Sequence, residues 1–234
     1  FVSSCDVIVH TAAINRHNNH NKIYDTNMNL INKLINACEV SNSNPKIIFL
    51  SSIQEKENNK YGKSKYDGRI LLENWAVKTN SQICSLIIPN VFGPFCEPNY
   101  NSFIATFCHK IIKNEEPKIL SDSIINLIYI NELTEIFYNE IISNKEKINS
   151  YVVSHTSSHK VSRILEILKK YKKEYFENGS IPNAPLKSFE LNLFNTFISY
   201  IPKNYFPRKF IKHTDNRGLF VEIIKSSIGG QVSF

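Results

Sequence analysis

The chain has 234 residues, of which 42% are hydrophobic and 21% charged, and its formal net charge at pH 7 is +7. This composition predicts one large domain, or one domain and part of another, with enough apolar residues for a core. No run of about 18 apolar residues occurs, which excludes a transmembrane helix, and nothing resembles a secretory signal.

Charge and cysteine content narrow the expected class further. The basic residues are dispersed among acidic ones, so no nucleic-acid partner is predicted, and steering of an anionic nucleotide substrate is the other interpretation. The densest basic run, 169–173, is expected to be a solvated helix terminus. Five cysteines without a C-x-x-C pair are typical of reduced thiols in a cytoplasmic protein.

Strands alternate with helices in the first part of the chain, which predicts a parallel α/β sheet. Apolar runs predict strands at 6–10, 47–50 and 83–89. Apolar residues recurring near a period of 3.6 predict helices at 24–41 and 61–79.

The pattern changes after Pro94. Further helices are predicted at 102–114, 132–143 and 161–171, and extended segments at 127–130 and 151–154. Ser157 is the predicted cap region of the last helix. Residues 182–207 are rich in aromatic residues, Asn and Pro and indicate an irregular linker or a small packing module. A β-rich unit is expected from 211 onwards.

A hydroxyl, a phenol and an ammonium follow the strand at 47–50. Tyr61 comes nine residues after Ser52, and Lys65 four residues after Tyr61. Positions i and i+4 share a helix face, so Tyr61 and Lys65 can act on one ligand. Open α/β sheets bind ligands at the carboxyl ends of their strands, where Ser52 is expected. These residues favour reduction of a carbonyl, with Ser51 as the alternative to Ser52.

Five elements together resemble the extended short-chain dehydrogenase/reductase family, in its NAD-dependent epimerase/dehydratase group. In chain order they are Ile8-Val9-His10-Thr11-Ala12-Ala13, Asn27-Met28-Asn29-Leu30, Ser52, the Y-x-x-x-K of Tyr61 and Lys65, and Pro89-Asn90-Val91-Phe92-Gly93-Pro94. Two positions depart from the family pattern: Leu30 replaces a glycine, and Leu86 or Ile87 stands where an arginine is usual.

A narrower resemblance rests on the short gap from Ser52 to Tyr61, the strings SSIQ and KYGKSK, and the tail from His213. These are similar to the capsule-precursor reductases of the group that end in a cupin. The resemblance implies an α/β fold: a truncated Rossmann-type parallel sheet, a small interleaved substrate-binding region and the start of a β-rich cupin. The resemblance implies an N-terminally truncated NAD(P)-binding Rossmann-type domain at 1–150, with substrate-binding insertions from about 90. It implies a C-terminal substrate-binding part and linker at 151–210, and the start of a truncated cupin domain at 211–234.

The family's glycine-rich phosphate turn has no match here. The first residue is Phe1, and 229–234 stop in a strand-like pattern. A fragment of a longer protein is therefore expected, lacking the glycine motif and most of the cupin, and such a fragment is expected to bind a dinucleotide weakly.

The resemblance implies an enzyme that uses NADPH, with NAD as the alternative, to reduce the 4-keto group of a UDP-2-acetamido-2,6-dideoxy-hexos-4-ulose. The implied product is UDP-2-acetamido-2,6-dideoxy-L-talose, a capsule or O-antigen precursor. No membrane partner is expected, and a homodimer is the expected assembly.

The same resemblance assigns roles to individual residues. Ser52 orients the carbonyl, Tyr61 is the general acid, and Lys65 supplies positive charge beside Tyr61. The implied cofactor-binding residues are Thr11, Ala12, Ala13, Tyr61, Lys65, Pro89 and Val91. The implied substrate-binding residues are Arg16, Ser52, Asn90 and Asn101, although a solvated arginine and turn-forming asparagines are alternatives. His10 is expected in the core, and no metal site is predicted.

Other functions remain open at the level of sequence. A 4,6-dehydratase usually adds an acidic pair after the Ser/Thr, whereas Ile53 and Gln54 follow Ser52 here. A nucleotide-sugar 4-epimerase needs the same three residues, so they do not exclude it. A non-catalytic NAD(P)-binding domain would not need the Tyr61–Lys65 pair.

Overall fold

The computed structural model describes residues 1–143, 147–182, 188–224 and 232–233. Its strands and helices are, in chain order, β1 (Val7–His10), α1 (His20–Val40), β2 (Lys46–Ser52), α2 (Lys60–Thr79), β3 (Ile83–Ile88), β4 (Asn90–Phe92), α3 (Phe103–Ile112), β5 (Ile124–Tyr129), α4 (Ile130–Ile142), β6 (Ile148–Val152), β7 (Ser157–Lys160), α5 (Val161–Tyr171), α6 (Ser188–Ile198), β8 (Lys212–Asp215), β9 (Gly218–Ile224) and β10 (Val232–Ser233).

The chain divides into two compact units, each made of two separate stretches. The first unit is Phe1–Val91 with Asn126–His155, and the second is Phe92–Ile125 with Thr156–Phe234. The functional domains expected at 1–150, 151–210 and 211–234 stay a prediction.

The first unit is built on four parallel strands in the order β1-β2-β3-β6. Ile83 of β3 pairs with Ile47 on one side and with Ile148 on the other. The predicted Rossmann-type parallel sheet is therefore confirmed. Because all four strands run the same way, their carboxyl ends lie along one edge of the sheet.

Both faces of this sheet are covered, which explains the continuous apolar run in β2. Ile47 and Phe49 belong to one core cluster that includes side chains of α1 and α2: Ile31, Cys38, Leu72, Trp75 and Ala76. Ile48 belongs to a second cluster with Cys84, Leu86, Ile128, Leu133 and Val153. Polar side chains of β2 are confined to its ends, at Lys46, Ser51 and Ser52.

The first helix begins at His20 rather than at the predicted residue 24. The Asn19 side chain caps it by accepting a hydrogen bond from the Asn21 backbone N–H at 3.0 Å. Capping satisfies a donor that the first turn leaves unpaired, so the helix can start before its apolar stripe does.

The second unit packs α3, α5 and α6 together around aromatic side chains. The Tyr171 ring of α5 meets Phe194 of α6 edge-on, with 5.2 Å between ring centroids, and Phe197 lies at 6.0 Å. Phe197 and Ile164 are fully buried. This core depends on packing, and Thr196 is its one described buried polar side chain.

Two expectations about the second unit were wrong. The segment 182–207 is not an irregular linker: it is helical over Ser188–Ile198, where Phe189, Leu193 and Phe197 form a buried stripe. The packing of this helix on α5 agrees with the alternative of a small packing module; residues 183–187 lie outside the described residues. Ser157 does not cap α5, because it lies in β7. Instead, the Asp122 carboxylate accepts hydrogen bonds from the Ser162 backbone N–H at 2.8 Å and the Ser162 hydroxyl at 2.9 Å.

The β-rich segment expected from 211 is confirmed where the structure describes it. Strands β8 and β9 pair antiparallel, with Asp215 opposite Gly218, which adopts a φ of +146° that favours glycine. Residues 225–231 and 234 lie outside the described residues. Assignment of this segment to a cupin stays a prediction.

Candidate active site

Three strands of the first unit end together at the carboxyl edge of the sheet. His10 ends β1 opposite Phe49, and Ser52 ends β2 opposite Ile88, the last residue of β3. Thr11 directly follows β1 and is exposed. Polar groups therefore gather at the edge where open α/β sheets bind ligands.

The start of α2 is fixed against the turn that follows Ser52. That turn, Ile53–Lys56, is a short 3₁₀ helix. The Asn59 side chain caps α2 by accepting a hydrogen bond from the Gly62 backbone N–H at 2.7 Å. A Cβ on Gly62 would lie 1.9 Å from the Gln54 carbonyl oxygen, so only glycine permits this approach. The short connection thus holds Tyr61, in the first turn of α2, next to the turn after β2.

Lys65 is the buried cation of the edge, with 5% of its surface exposed. Its Nζ donates a hydrogen bond to the Leu50 carbonyl of β2 at 2.8 Å and lies 5.8 Å from the centroid of the Tyr61 ring. Burial lowers the pKa of Lys65 from 10.5 to about 8, and the negative charge of Glu55 opposes this shift. The ammonium is thus retained at neutral pH, directly beside the phenol.

The two serines at the end of β2 have different partners. Ser51 is buried and donates its hydroxyl hydrogen to the Glu55 carboxylate. Ser52 accepts a hydrogen bond from the Gln54 backbone N–H at 3.2 Å, which caps the turn and leaves its own hydroxyl hydrogen to donate elsewhere. A donor aimed at a carbonyl oxygen is therefore better supplied by Ser52 than by Ser51.

His10 is buried as predicted, and its ring stacks on Phe49 with 5.8 Å between centroids. Burial and, to a smaller extent, the Lys65 charge lower the pKa of His10 from 6.5 to about 4. The imidazole is therefore neutral at pH 7. Because His10 is neutral, the Lys65 ammonium has no second positive charge beside it from His10 and keeps its proton at pH 7.

A buried hydrogen-bonded bridge joins the loop after β1 to α2. The Asn27 side chain accepts from the Ile14 backbone N–H at 2.8 Å and donates to the Ile14 carbonyl at 2.9 Å. It also donates to the Ser64 hydroxyl at 2.9 Å, and that hydroxyl donates to the Tyr61 carbonyl. Asn27 begins one of the motifs that resemble the family, but the sequence alone predicts no role for Asn27 or Ser64 in this arrangement.

The other predicted cofactor- and substrate-binding residues differ in how far they are exposed. Thr11, Ala12 and Arg16 are exposed, and Ala13 is half-buried in the same loop. After β3, Pro89 is buried and Val91 half-buried, while Asn90 is exposed and its amide donates to the Asn126 carbonyl at 3.4 Å. Asn101 is exposed and belongs to the second unit. Ser52, Tyr61 and Lys65 therefore all belong to the first unit, with Tyr61 and Lys65 in contact on α2.

Among the residues that the structure describes, no group of three or more His, Cys, Asp or Glu side chains is arranged to hold a metal ion. None of the described helices combines the length and apolar character needed to cross a membrane.

Comparison with known proteins places this geometry in a family. A model of the "NAD dependent epimerase/dehydratase family" matches residues 1–153. The chain is 31% identical over its full length to a Pseudomonas aeruginosa protein named UDP-2-acetamido-2,6-beta-L-arabino-hexul-4-ose reductase, and it covers 62% of that protein.

Solved structures give a consistent result. The capsular polysaccharide assembling protein CapF from Staphylococcus aureus is 29% identical, with a TM-score of 0.80 over 99% of this chain and 62% of CapF. The UDP-glucuronic acid 4-epimerase of Bacillus cereus is 16% identical, with a TM-score of 0.72 over 85% of this chain and 75% of the epimerase, and shows the shared fold alone. The chain spans less than two thirds of the length of the reductase and of CapF. The matched region includes the whole parallel sheet and the Tyr61–Lys65 pair, and the chain belongs to the NAD-dependent epimerase/dehydratase family.

Proposed function

We propose that the protein reduces the 4-keto group of a UDP-2-acetamido-2,6-dideoxy-hexos-4-ulose to give UDP-2-acetamido-2,6-dideoxy-L-talose, using NADPH. The Pseudomonas relative, whose name describes a UDP-sugar keto reductase, and the capsule-assembling CapF support this proposal. The product would serve as a precursor of capsule or O-antigen. The reaction takes place in the cytoplasm, with the protein as a homodimer.

The observation that carries the proposal is the buried Lys65 ammonium beside Tyr61 at the carboxyl end of β2. Reduction turns the sugar carbonyl into an alkoxide, which needs a proton. The Tyr61 hydroxyl donates that proton and becomes a phenolate, which the adjacent Lys65 charge stabilises. An unperturbed phenol has a pKa of about 10, so the neighbouring cation makes proton donation easier.

Ser52 orients the carbonyl by donating its hydroxyl hydrogen to the oxygen on which negative charge develops. Its backbone contact with Gln54 uses an oxygen lone pair and leaves this donor in place. Arg16, Asn90 and Asn101 are proposed to contact the nucleotide sugar. All three side chains are exposed, as a ligand contact requires.

The residues at the sheet edge fit the nicotinamide half of a dinucleotide. Thr11 and Ala12 are small and exposed directly after β1, which allows a flat ring to approach the backbone. These two residues, Ala13, Tyr61, Lys65, Pro89 and Val91 are the proposed cofactor-binding residues. When bound, NADPH supplies the hydride that reaches carbon 4, and NAD is the alternative donor.

The geometry gives no support to a 4,6-dehydratase. That chemistry uses acidic groups close to the Ser/Thr, and Glu55 is the nearest acidic residue after Ser52. Its carboxylate is held by Arg69 at 2.9 Å and by Ser51. The oxygens of this carboxylate already accept these hydrogen bonds, which leaves fewer lone pairs for a substrate proton.

The test uses the full-length protein, the UDP-linked 4-keto sugar and NADPH deuterated at the transferable position. We expect one NADPH oxidised per sugar and deuterium at carbon 4 of the product, measured by absorbance at 340 nm and by NMR. Interconversion of two UDP-linked 4-hydroxy sugars that differ only at carbon 4, without net NADPH oxidation, would instead indicate a 4-epimerase. Cofactor binding without turnover would indicate a non-catalytic domain.

A further inference from the structure

A nearly buried ion pair holds the turn after Ser52 to helix α2. Arg69 donates to Glu55 through Nε at 3.0 Å and through Nη2 at 2.9 Å, and the Glu55 side chain is only 6% exposed. The Ser51 hydroxyl donates to the same carboxylate. Glu55 is thus fixed by three donors, two from one guanidinium and one from the strand that carries Ser52.

Lys65 and Arg69 lie one helical turn apart on α2. Ser51, which contacts Glu55, directly follows Leu50, whose carbonyl accepts the Lys65 hydrogen bond. Arg69 also contacts Glu73 through Nη1 at 3.3 Å. Glu55 and Glu73 therefore share one arginine, but Glu55 lies in the turn after β2, whereas Glu73 lies further along α2. This arrangement provides two carboxylates of the same chemistry at different positions relative to Lys65.

Among the described residues, Glu55 supplies the negative charge that acts on the Lys65 ammonium. The Leu50 carbonyl accepts its hydrogen bond, and the rings of Phe49 and Tyr61 lie 5.2 and 5.8 Å away. His10 is neutral at pH 7, because burial holds its pKa at about 4. Glu55 is the charged group that raises the pKa of Lys65 against the effect of burial. A buried ammonium needs such a partner, since desolvation disfavours its charged form.

We propose that Glu55, held by Arg69 and Ser51, is a positioning residue that keeps the Lys65 ammonium protonated for the reaction. The inference rests on the proposed function in one respect: a protonated Lys65 matters because Tyr61 must donate its proton. The ion pair has a second effect, which is to fix the short Ser52–Tyr61 segment. A charge fixed by three donors does not need to reorganise when charge develops at the substrate oxygen.

The first experiment measures Lys65 directly and needs no substrate. The full-length protein is labelled with acetic anhydride over a series of pH values, and acetylation of Lys65 is quantified by mass spectrometry, because only the neutral amine reacts. In Glu55→Gln we expect the labelling midpoint of Lys65 to move down by about half a pH unit or more. Glu73→Gln is the matched control and should leave the midpoint unchanged.

The second experiment measures turnover. The fall of kcat on the alkaline side should move to lower pH in Glu55→Gln by the same amount as the labelling midpoint. Glu55→Asp retains the charge and should restore most of the wild-type profile. If Glu55→Gln alone does not fold, the double variant Glu55→Gln/Arg69→Gln avoids a stranded guanidinium and is compared with Arg69→Gln. Its Lys65 midpoint should be the lower of the two, because only the Glu55 charge differs between them.

An unchanged Lys65 midpoint in folded Glu55→Gln, or equal midpoints in the folded double variant and in Arg69→Gln, would overturn the inference. An equal shift in Glu73→Gln would do the same, since the effect would not then depend on the position of Glu55. A midpoint that moves as expected in a protein that reduces no 4-keto sugar would support the inference about Lys65 and contradict the proposed function.

Discussion

The two units of the molecule bury very different side chains. Of the ten buried polar or charged side chains in the described residues, nine lie in the first unit, and Thr196 is the exception. Several of the nine are at the carboxyl edge of the sheet: His10, Ser51, Ser52 and Lys65. The second unit instead buries rings such as Tyr171, Phe189 and Phe197.

We infer that the buried polar side chains of the first unit serve the proposed chemistry at a cost in stability. Burying Lys65 costs free energy, as the lowered pKa of its ammonium records, and a fold selected only for stability would place an apolar side chain there. Nothing comparable is present in the described core of the second unit. Substitutions of the polar side chains at the carboxyl edge of the first unit should therefore change turnover, and core substitutions in the second unit should change stability.

The largest effect is expected at Tyr61. Tyr61→Phe removes the proposed general acid while keeping the ring, so turnover should fall by about 10²–10⁴-fold with little change in stability. Oxidation of NADPH with the 4-keto sugar measures it. Tyr138→Phe, at an exposed tyrosine of α4, is the control and should behave as wild type. Turnover that survives Tyr61→Phe would contradict the catalytic assignment.

The second unit should respond through stability. Phe197 is fully buried, so Phe197→Ala should lower the free energy of unfolding by about 3–5 kcal/mol. Leu191→Ala, in the same helix but at a residue 47% exposed, should cost no more than about 0.5 kcal/mol. Urea unfolding followed by circular dichroism compares them. Similar losses in the two variants would mean that α6 is not packed as described.

Acid should weaken the first unit through His10. Burial lowers the pKa of His10 from 6.5 to about 4, so between these values the unfolded chain binds a proton that the folded protein does not. The free energy of unfolding should therefore contain the full His10 effect above pH 6.5. It should fall by at most about 3 kcal/mol as the pH drops towards 4.

His10→Phe keeps a ring against Phe49 and should remove this part of the pH dependence. The free energy of unfolding, measured in urea at both ends of that pH range, gives the difference. His155→Phe, at an exposed position of the same unit, should retain the wild-type dependence. The two variants would show identical pH profiles if the buried imidazole were not responsible.

The smallest effects are expected at two helix caps, and they sharpen the comparison between the units. Asn59 caps α2 through the Gly62 N–H, and Ser102 caps α3 through the Ala105 N–H. Each alanine substitution should lower the free energy of unfolding by about 1 kcal/mol. Only Asn59→Ala should also lower kcat, because that cap fixes the turn that carries Tyr61. Equal kcat values in the two variants would mean that the Asn59 cap does not control the position of Tyr61.

Much of the first unit was predictable because the central strands β2 and β3 have both faces buried and the helices α1 and α2 bury one face each. An apolar run then indicates a strand, and a 3.6-residue period indicates a helix. The segment containing α6 was misinterpreted although Phe189, Leu193 and Phe197 recur at helical spacing. Its Asn and Phe residues are weak helix formers, and burial against α5 outweighs that local preference.

The sequence by itself determined the family, through motifs that resemble those of known members. It also determined the parallel α/β sheet and the order of Ser52, Tyr61 and Lys65, since these depend on periodicity and spacing along the chain. Only the tertiary structure decided that Lys65 is buried against Leu50, that Ser51 is occupied by Glu55, and that Glu55 is held by Arg69. Burial and charge pairing depend on side chains brought together from distant elements, and these set the pKa values on which the proposed chemistry depends.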